Sequence, residues 1–213
     1  GFNAGSKIAL RLLDRDPAAA IDRGWFEVRL TRALALREAL FDAPFYRLIH
    51  AEADDLPGVV IDRFGDAAVI QPNAASAEAR LGDLAEALRA VTGVRVVVKN
   101  AAGRARGLEG LPEDSGLLSG AIDAPVPVPM NGATYLADLI GGQKTGLFYD
   151  QRPNHAFAAR LARGRAMLDV FAHVGGFGLA AELAILAERK QIELAVFARL
   201  AVLVGVAPGV GRN

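Results

Sequence analysis

The chain has 213 residues, 52% of them hydrophobic and 23% charged, enough core material for one sizeable domain or two small ones and too apolar for a disordered chain. Its 24 basic residues balance 24 acidic ones, so overall charge makes no case for nucleic acid and any polyanion must be met by a local patch. With no cysteine there is no disulfide, thiolate metal site or cysteine nucleophile, and no apolar run reaches the roughly 20 residues that cross a bilayer, so a soluble, cytoplasmic protein is expected.

Residues 8–13 alternate ahead of Asp14-Arg-Asp-Pro17 and are expected to be a last strand and exit turn whose partner strands lie upstream. Asp22 is the expected N-cap of an amphipathic connecting helix within residues 21–42, where Phe26, Leu30, Ala33, Leu36 and Leu40 recur at spacings of three and four. Short strands are expected at residues 46–50, 59–63 and 67–71, punctuated by Leu56-Pro-Gly58 and Phe64-Gly-Asp66. Leu81, Leu84, Leu88 and Val91 then mark one face of a helix, and residues 94–99 return as a β-branched strand. Residues 43–130 therefore read as a small central α+β domain, in which residues 100–130 form a long irregular connection. Glu52, Asp54, Asp55 and Asp62 read as solvated turn residues, and His50 and His155 lack the neighbouring ligands a metal needs.

From residue 131 the pattern changes. Residues 133–140 alternate like a strand, Arg152-Pro153 opens a helix with Phe157 and Leu161 on its inner face and Gly164 at its end, and an apolar strand is expected at residues 166–171. That strand, broken only by Asp169, runs into Gly175-Gly-Phe-Gly178 and an alanine- and leucine-rich helix. A glycine turn between strand and helix lets the backbone approach a ligand while helix N–H groups face it, which suits a nucleoside cofactor; the same turn can also be a tight connection that needs small residues. The dinucleotide GxGxxG spacing is absent, and no Gly-Lys-Ser/Thr follows to make a phosphate loop. Upstream, Gly141-Gly-Gln-Lys-Thr-Gly-Leu-Phe-Tyr-Asp-Gln-Arg152 gathers a cation, a hydroxyl, two aromatics and an Asp-Gln-Arg trio into one turn.

Together these segments resemble the RlmI-like family of bacterial class I methyltransferases, cytosine-C5 enzymes of 23S ribosomal RNA. Residues 46–65 are similar to the family's central-domain signature, Arg106-Gly-Leu-Glu-Gly-Leu111 resembles another of its segments, and residues 6–17 resemble the end of its PUA-like RNA-binding module. The resemblance implies a tail of a PUA-like module at residues 1–20, a connecting helix at 21–42, an EEHEE-like central domain at 43–130 and the start of a Rossmann-like α/β domain at 131–213. It implies S-adenosyl-L-methionine as cofactor and ribosomal RNA as partner. It places Lys144, Thr145, Gly146, Asp150, Gln151 and Arg152 at or beside the cofactor pocket, with Asp169, Phe171, Gly175, Gly176 and Gly178 lining it. Arg152 can equally cap a helix or pair with Asp150, Lys144 can meet an RNA phosphate, and Phe148 and Tyr149 can stack on a base or fill core.

After Gly178 the resemblance ends. Residues 191–205 lack the family's next strand with its terminal acid, the downstream Asp-Pro-Pro loop and cysteine are missing, and neither Glu188 nor Glu193 ends a strand. A C-terminally truncated or frame-disrupted member is expected, inactive alone because cytosine-C5 chemistry needs the cysteine, with residues 200–207 an aggregation segment. The alternative is a non-catalytic RNA-binding or adaptor module.

Overall fold

A computed structural model of the chain describes residues 1–142, 145–162 and 165–189. It divides into two compact units: Gly1–Pro129 with Leu136–Tyr149, and Met130–Tyr135 with the chain from Asp150 onward.

The first unit is a mixed five-stranded sheet with helices. Asp22 caps α1 (Arg23–Leu40), its carboxylate accepting the Trp25 N–H at 3.0 Å as an N-cap side chain does for the third residue of a helix. Phe26, Leu30 and Ala33 of the expected apolar stripe are buried with Trp25, whereas Leu36 and Leu40 stand exposed at 52% and 65%, so only the first three turns bear on the core. Strands β1 (Phe45–His50), β2 (Val59–Phe64) and β3 (Ala67–Pro72) form an antiparallel meander. The two-residue turn between β2 and β3 relies on Gly65, whose φ of 66° suits a residue without Cβ.

A parallel partner needs a crossover, and the chain supplies one through the single turn α2 (Ala75–Glu78) and α3 (Leu81–Thr92) before β4 (Val96–Lys99) pairs with β3. Gly93, at φ 72°, closes α3. The short helix α4 (Arg104–Leu108) then leads to β5 (Gly116–Ser119), antiparallel to β4, and the sheet order is β1-β2-β3-β4-β5. The core of this unit joins Leu30 of α1, Leu48, Ile61 and Ile70 of the sheet, and Leu84 and Leu88 of α3, all fully buried. Each such side chain contributes on the order of 1.5–3 kcal/mol of burial.

Four expectations need correction here. Residues 8–13 form no strand; an isolated bridge joins Phe2 to Leu10, because a ladder needs a second strand that the described residues do not place there. Residues 100–130 are not irregular throughout, containing α4, β5 and a further strand at Val126–Met130. The element order is therefore three strands, helices, a strand, a short helix and a strand, not EEHEE. What fixes this stretch is distant charge: fully buried Arg106 donates to the carbonyls of Pro72 and Pro112 and to Glu78, while Lys99 bonds Glu78 and Asp114. Finally, Asp62 is no turn residue; it sits on β2 with no exposed surface.

A two-stranded ribbon, β6 (Val126–Met130) and β7 (Ala133–Ala137), contains the passage between units, and β7 is shorter than the strand expected over residues 133–140. In the second unit α5 (Arg152–Leu161) and α6 (Gly176–Arg189) pack on each other. Proline near the start of α5 is as expected, but its inner face is not: Phe157 and Leu161 are 55% and 59% exposed, while His155 and Ala159 are buried. Residues 166–171 pair with no strand among the described residues and run as irregular chain, since a parallel strand exists only beside neighbours that take its backbone bonds. Gly164 and residues 190–213, including the expected helix end, Glu193 and the apolar segment 200–207, lie outside the described residues.

Candidate functional site

The expected site residues fall in both units. In the first, the loop after β7 is built on Asp138, whose carboxylate accepts the N–H groups of Ile140 and Gly141 at 3.1 and 2.8 Å. Gly142 and Gly146 must lack side chains, because a Cβ on either would run into the Asp138 carbonyl, and Gly146 holds φ at 95°. Thr145 is 1% exposed and donates its hydroxyl to Asp62 at 2.7 Å. The same carboxylate takes a two-pronged Arg47 contact at 2.9 and 3.1 Å. Tyr149 donates its phenol to the Arg63 carbonyl at 2.8 Å and lays its ring on Phe64, so this aromatic fills core and does not await a base. Lys144 lies outside the described residues.

In the second unit two helix starts carry the remaining residues. Tyr149–Gln151 forms a 3-10 turn into α5; Gln151 donates to the Asp150 carboxylate at 3.3 Å and accepts from Asn154 at 3.0 Å, and the Arg152 carbonyl accepts from Asn131 at 2.9 Å. Ahead of α6 the backbone passes through left-handed conformations at Phe171, His173 and Gly175, with φ of 61°, 53° and 76°. Phe171 is wholly exposed. Asp169 closes this loop: its carboxylate accepts the Gly178 N–H at 2.9 Å, placing negative charge at the positive end of α6. By geometry the N–H groups of Gly176 and Phe177, in the same first turn, have no acceptor within the helix.

Two side chains not expected at this place join the loop. His155, 5% exposed, lies so close to Gly176 that a Cβ there would overlap its ring, and it meets Phe177 edge-on at 4.5 Å. Tyr135 stacks on His155 at 6.5 Å and donates its hydroxyl to the Gly176 carbonyl at 3.3 Å. Burial lowers the His155 pKa below its ordinary 6.5, against the opposing pull of the Asp169 and Asp150 carboxylates. Burial likewise lowers His173 and raises Tyr135. The sequence signal for the burial of His155 is its spacing four residues before Ala159, on one face of α5. Among the described residues no group of His, Asp and Glu is arranged to hold a metal.

No family model matches the chain. Over 197 residues, 91% of its length, it is 36% identical to the "Ribosomal RNA large subunit methyltransferase I" of Shewanella denitrificans, of which it covers 50%. It is 37% identical over 183 residues to the protein of that name from Tolumonas auensis, covering 84% of this chain and 46% of the relative. The chain is a homologue of the ribosomal RNA large subunit methyltransferase I proteins. It spans about half the length of these methyltransferase I relatives. Solved structures agree on the fold: a candidate SAM-dependent methyltransferase of Streptococcus mutans superposes with a TM-score of 0.69 at 21% identity, covering 81% of this chain and 45% of that one. Another candidate methyltransferase, solved with SAH, gives 0.66 at 20% identity, covering 78% of this chain and 43% of its own. The methyltransferase I likeness thus takes in both units and the glycine loop.

Proposed function

We propose that this span is the part of a ribosomal RNA methyltransferase that carries the central α+β domain and one side of an S-adenosyl-L-methionine site. The observation that carries the reading is Asp169 closing the glycine loop onto the first turn of α6. The residues present fit the cofactor: glycines at 175, 176 and 178 keep the backbone bare, the Asp169 carboxylate suits an ammonium group, and the uncapped first-turn N–H groups suit a carboxylate. When bound, the cofactor supplies a methyl group on sulfonium. On the family resemblance Asp150, Gln151, Arg152 and Phe171 are assigned to this site; for Lys144, Thr145 and Gly146 a cofactor role rests on the resemblance alone, and the Thr145 hydroxyl is already engaged by Asp62.

The acceptor proposed for the longer protein is cytosine C5 of 23S ribosomal RNA. That reaction uses a thiolate to add at C6, and these 213 residues contain no cysteine, so this span does not supply it. The purified chain should bind cofactor yet transfer no labelled methyl group to ribosomal RNA; incorporation at cytosine C5 would overturn the expected inactivity. Calorimetric titration tests the site itself. Heat of binding is expected below about millimolar S-adenosyl-L-methionine, and Asp169→Asn, which keeps a helix cap but removes the charge, should weaken it about tenfold or more. No heat from the unaltered chain leaves the adaptor-module reading instead.

A further inference from the structure

We propose that His155 is a positioning residue for the glycine-loop site: its uncharged imidazole, seated against Gly176, holds the first turn of α6 in the form that receives the adenosyl cofactor. This rests on the function proposed above.

Three observations converge on it. The Gly176 peptide is gripped from two sides, by the His155 ring where a Cβ would stand and by the Tyr135 hydroxyl on its carbonyl at 3.3 Å. Phe177, next in the same turn, meets the ring edge-on, so the imidazole touches the residues whose N–H groups are left uncapped. Nδ1 of His155 is buried and meets no hydrogen-bond partner among the described residues. A buried ring nitrogen without a partner is rare in native proteins, and one beside a bare helix start is accounted for by a ligand or an ordered water.

The charge balance ties this role to pH. The titratable groups facing the ring are Asp150 just before α5, Asp169 in the loop and the Tyr135 phenol of β7; α6 contributes Gly176, Phe177 and the positive end of its dipole. Burial outweighs the two carboxylates, so the ring stays neutral in the closed loop. Protonation would put a cation against the positive helix start and press Gly176 away.

The test is calorimetric titration of the 213-residue chain with S-adenosylhomocysteine from about pH 8 to about pH 5, across the ordinary histidine range. Affinity should fall with pH, at most about tenfold per unit, the slope of one linked proton. His155→Phe keeps the ring shape and should bind about tenfold more weakly at high pH, a usual cost of losing a side chain that orients a binding group, with a flat pH profile. His155→Asn, which restores a polar atom near Nδ1, should recover affinity but not the pH dependence, and it covers a Phe variant that does not fold. Native affinity and an unchanged profile in both variants would overturn this role alone, and would point to His173. No binding by the unaltered chain at any pH overturns the proposed function and this role with it.

Discussion

Three consecutive residues of β2 order the loop that follows β7. Asp62 takes the Thr145 hydroxyl, the Arg63 carbonyl takes the Tyr149 phenol, and Phe64 meets the Tyr149 ring. Asp62 has no exposed surface, and its buried carboxylate is met by the Thr145 hydroxyl and by Arg47. Arg47→Leu removes the guanidinium and should cost about 3–5 kcal/mol, the usual result of stranding one member of a buried pair. Thr145→Val should cost about 1–2 kcal/mol. Urea unfolding followed by the fluorescence of Trp25, the one tryptophan, reads both. In the other unit Gly176→Ala drives a methyl group into the His155 ring, and about 1–3 kcal/mol of overpacking strain is expected. Faster hydrogen exchange at the hydrogen-bonded Gly178 and Leu179 amides checks it.

Helix α1 shows how much one element can owe to local chemistry. Its start follows from a single Asp22 side chain reaching Trp25, and Asp22→Ala should cost about 1 kcal/mol in the same urea experiment. Strands β1 to β4 and α3 also lie where alternation, three-to-four spacing and turn glycines put them. Elements held by distant partners were not legible. β5 is only four residues long, and α4 stays in place through the burial of Arg106 against carbonyls on either side. The inner face of α5 follows α6 and Tyr135, which select His155 and Ala159 over the more hydrophobic Phe157 and Leu161. Residues 166–171 have strand composition without strand partners, and Leu168, Val170 and Phe171 stay exposed.

For the whole molecule, the titratable groups give the two units different acid sensitivities. In the second unit His155 and His173 are held neutral by burial, with folded pKa values below 6.5. The unfolded chain takes up protons that the folded one refuses, so their contribution is intact above about pH 6.5 and is lost as pH falls. In the first unit, hydrogen bonds from Ser6, Asn3, the Ala75 N–H and Arg11 overcome burial and hold Glu109 at about 2, and Asp14 is drawn to about 2 by the Asp16 backbone, Trp25 and Arg29. Folded pKa values below the unfolded ones give stability that is present above the ordinary carboxylate range and lost as pH falls toward about 2. At about pH 5.5, between the two windows, Trp25 fluorescence should be native while amide exchange in α5 and α6 has risen; a joint loss of both signals would sink this separation. Among the described residues no helix is long and apolar enough to cross a membrane.

The sequence by itself determined the Asp22 cap, the strands with their glycine turns and the glycine loop after Asp169, because capping, periodicity and φ depend on residues within a turn or two of one another. Only the tertiary structure decided that Asp62 is buried beneath a threonine 83 residues away, and that Tyr135 holds a carbonyl 41 residues on while His155 fills the space over Gly176. Burial and polar pairing are set by what lies across the fold, and neither is written in local spacing.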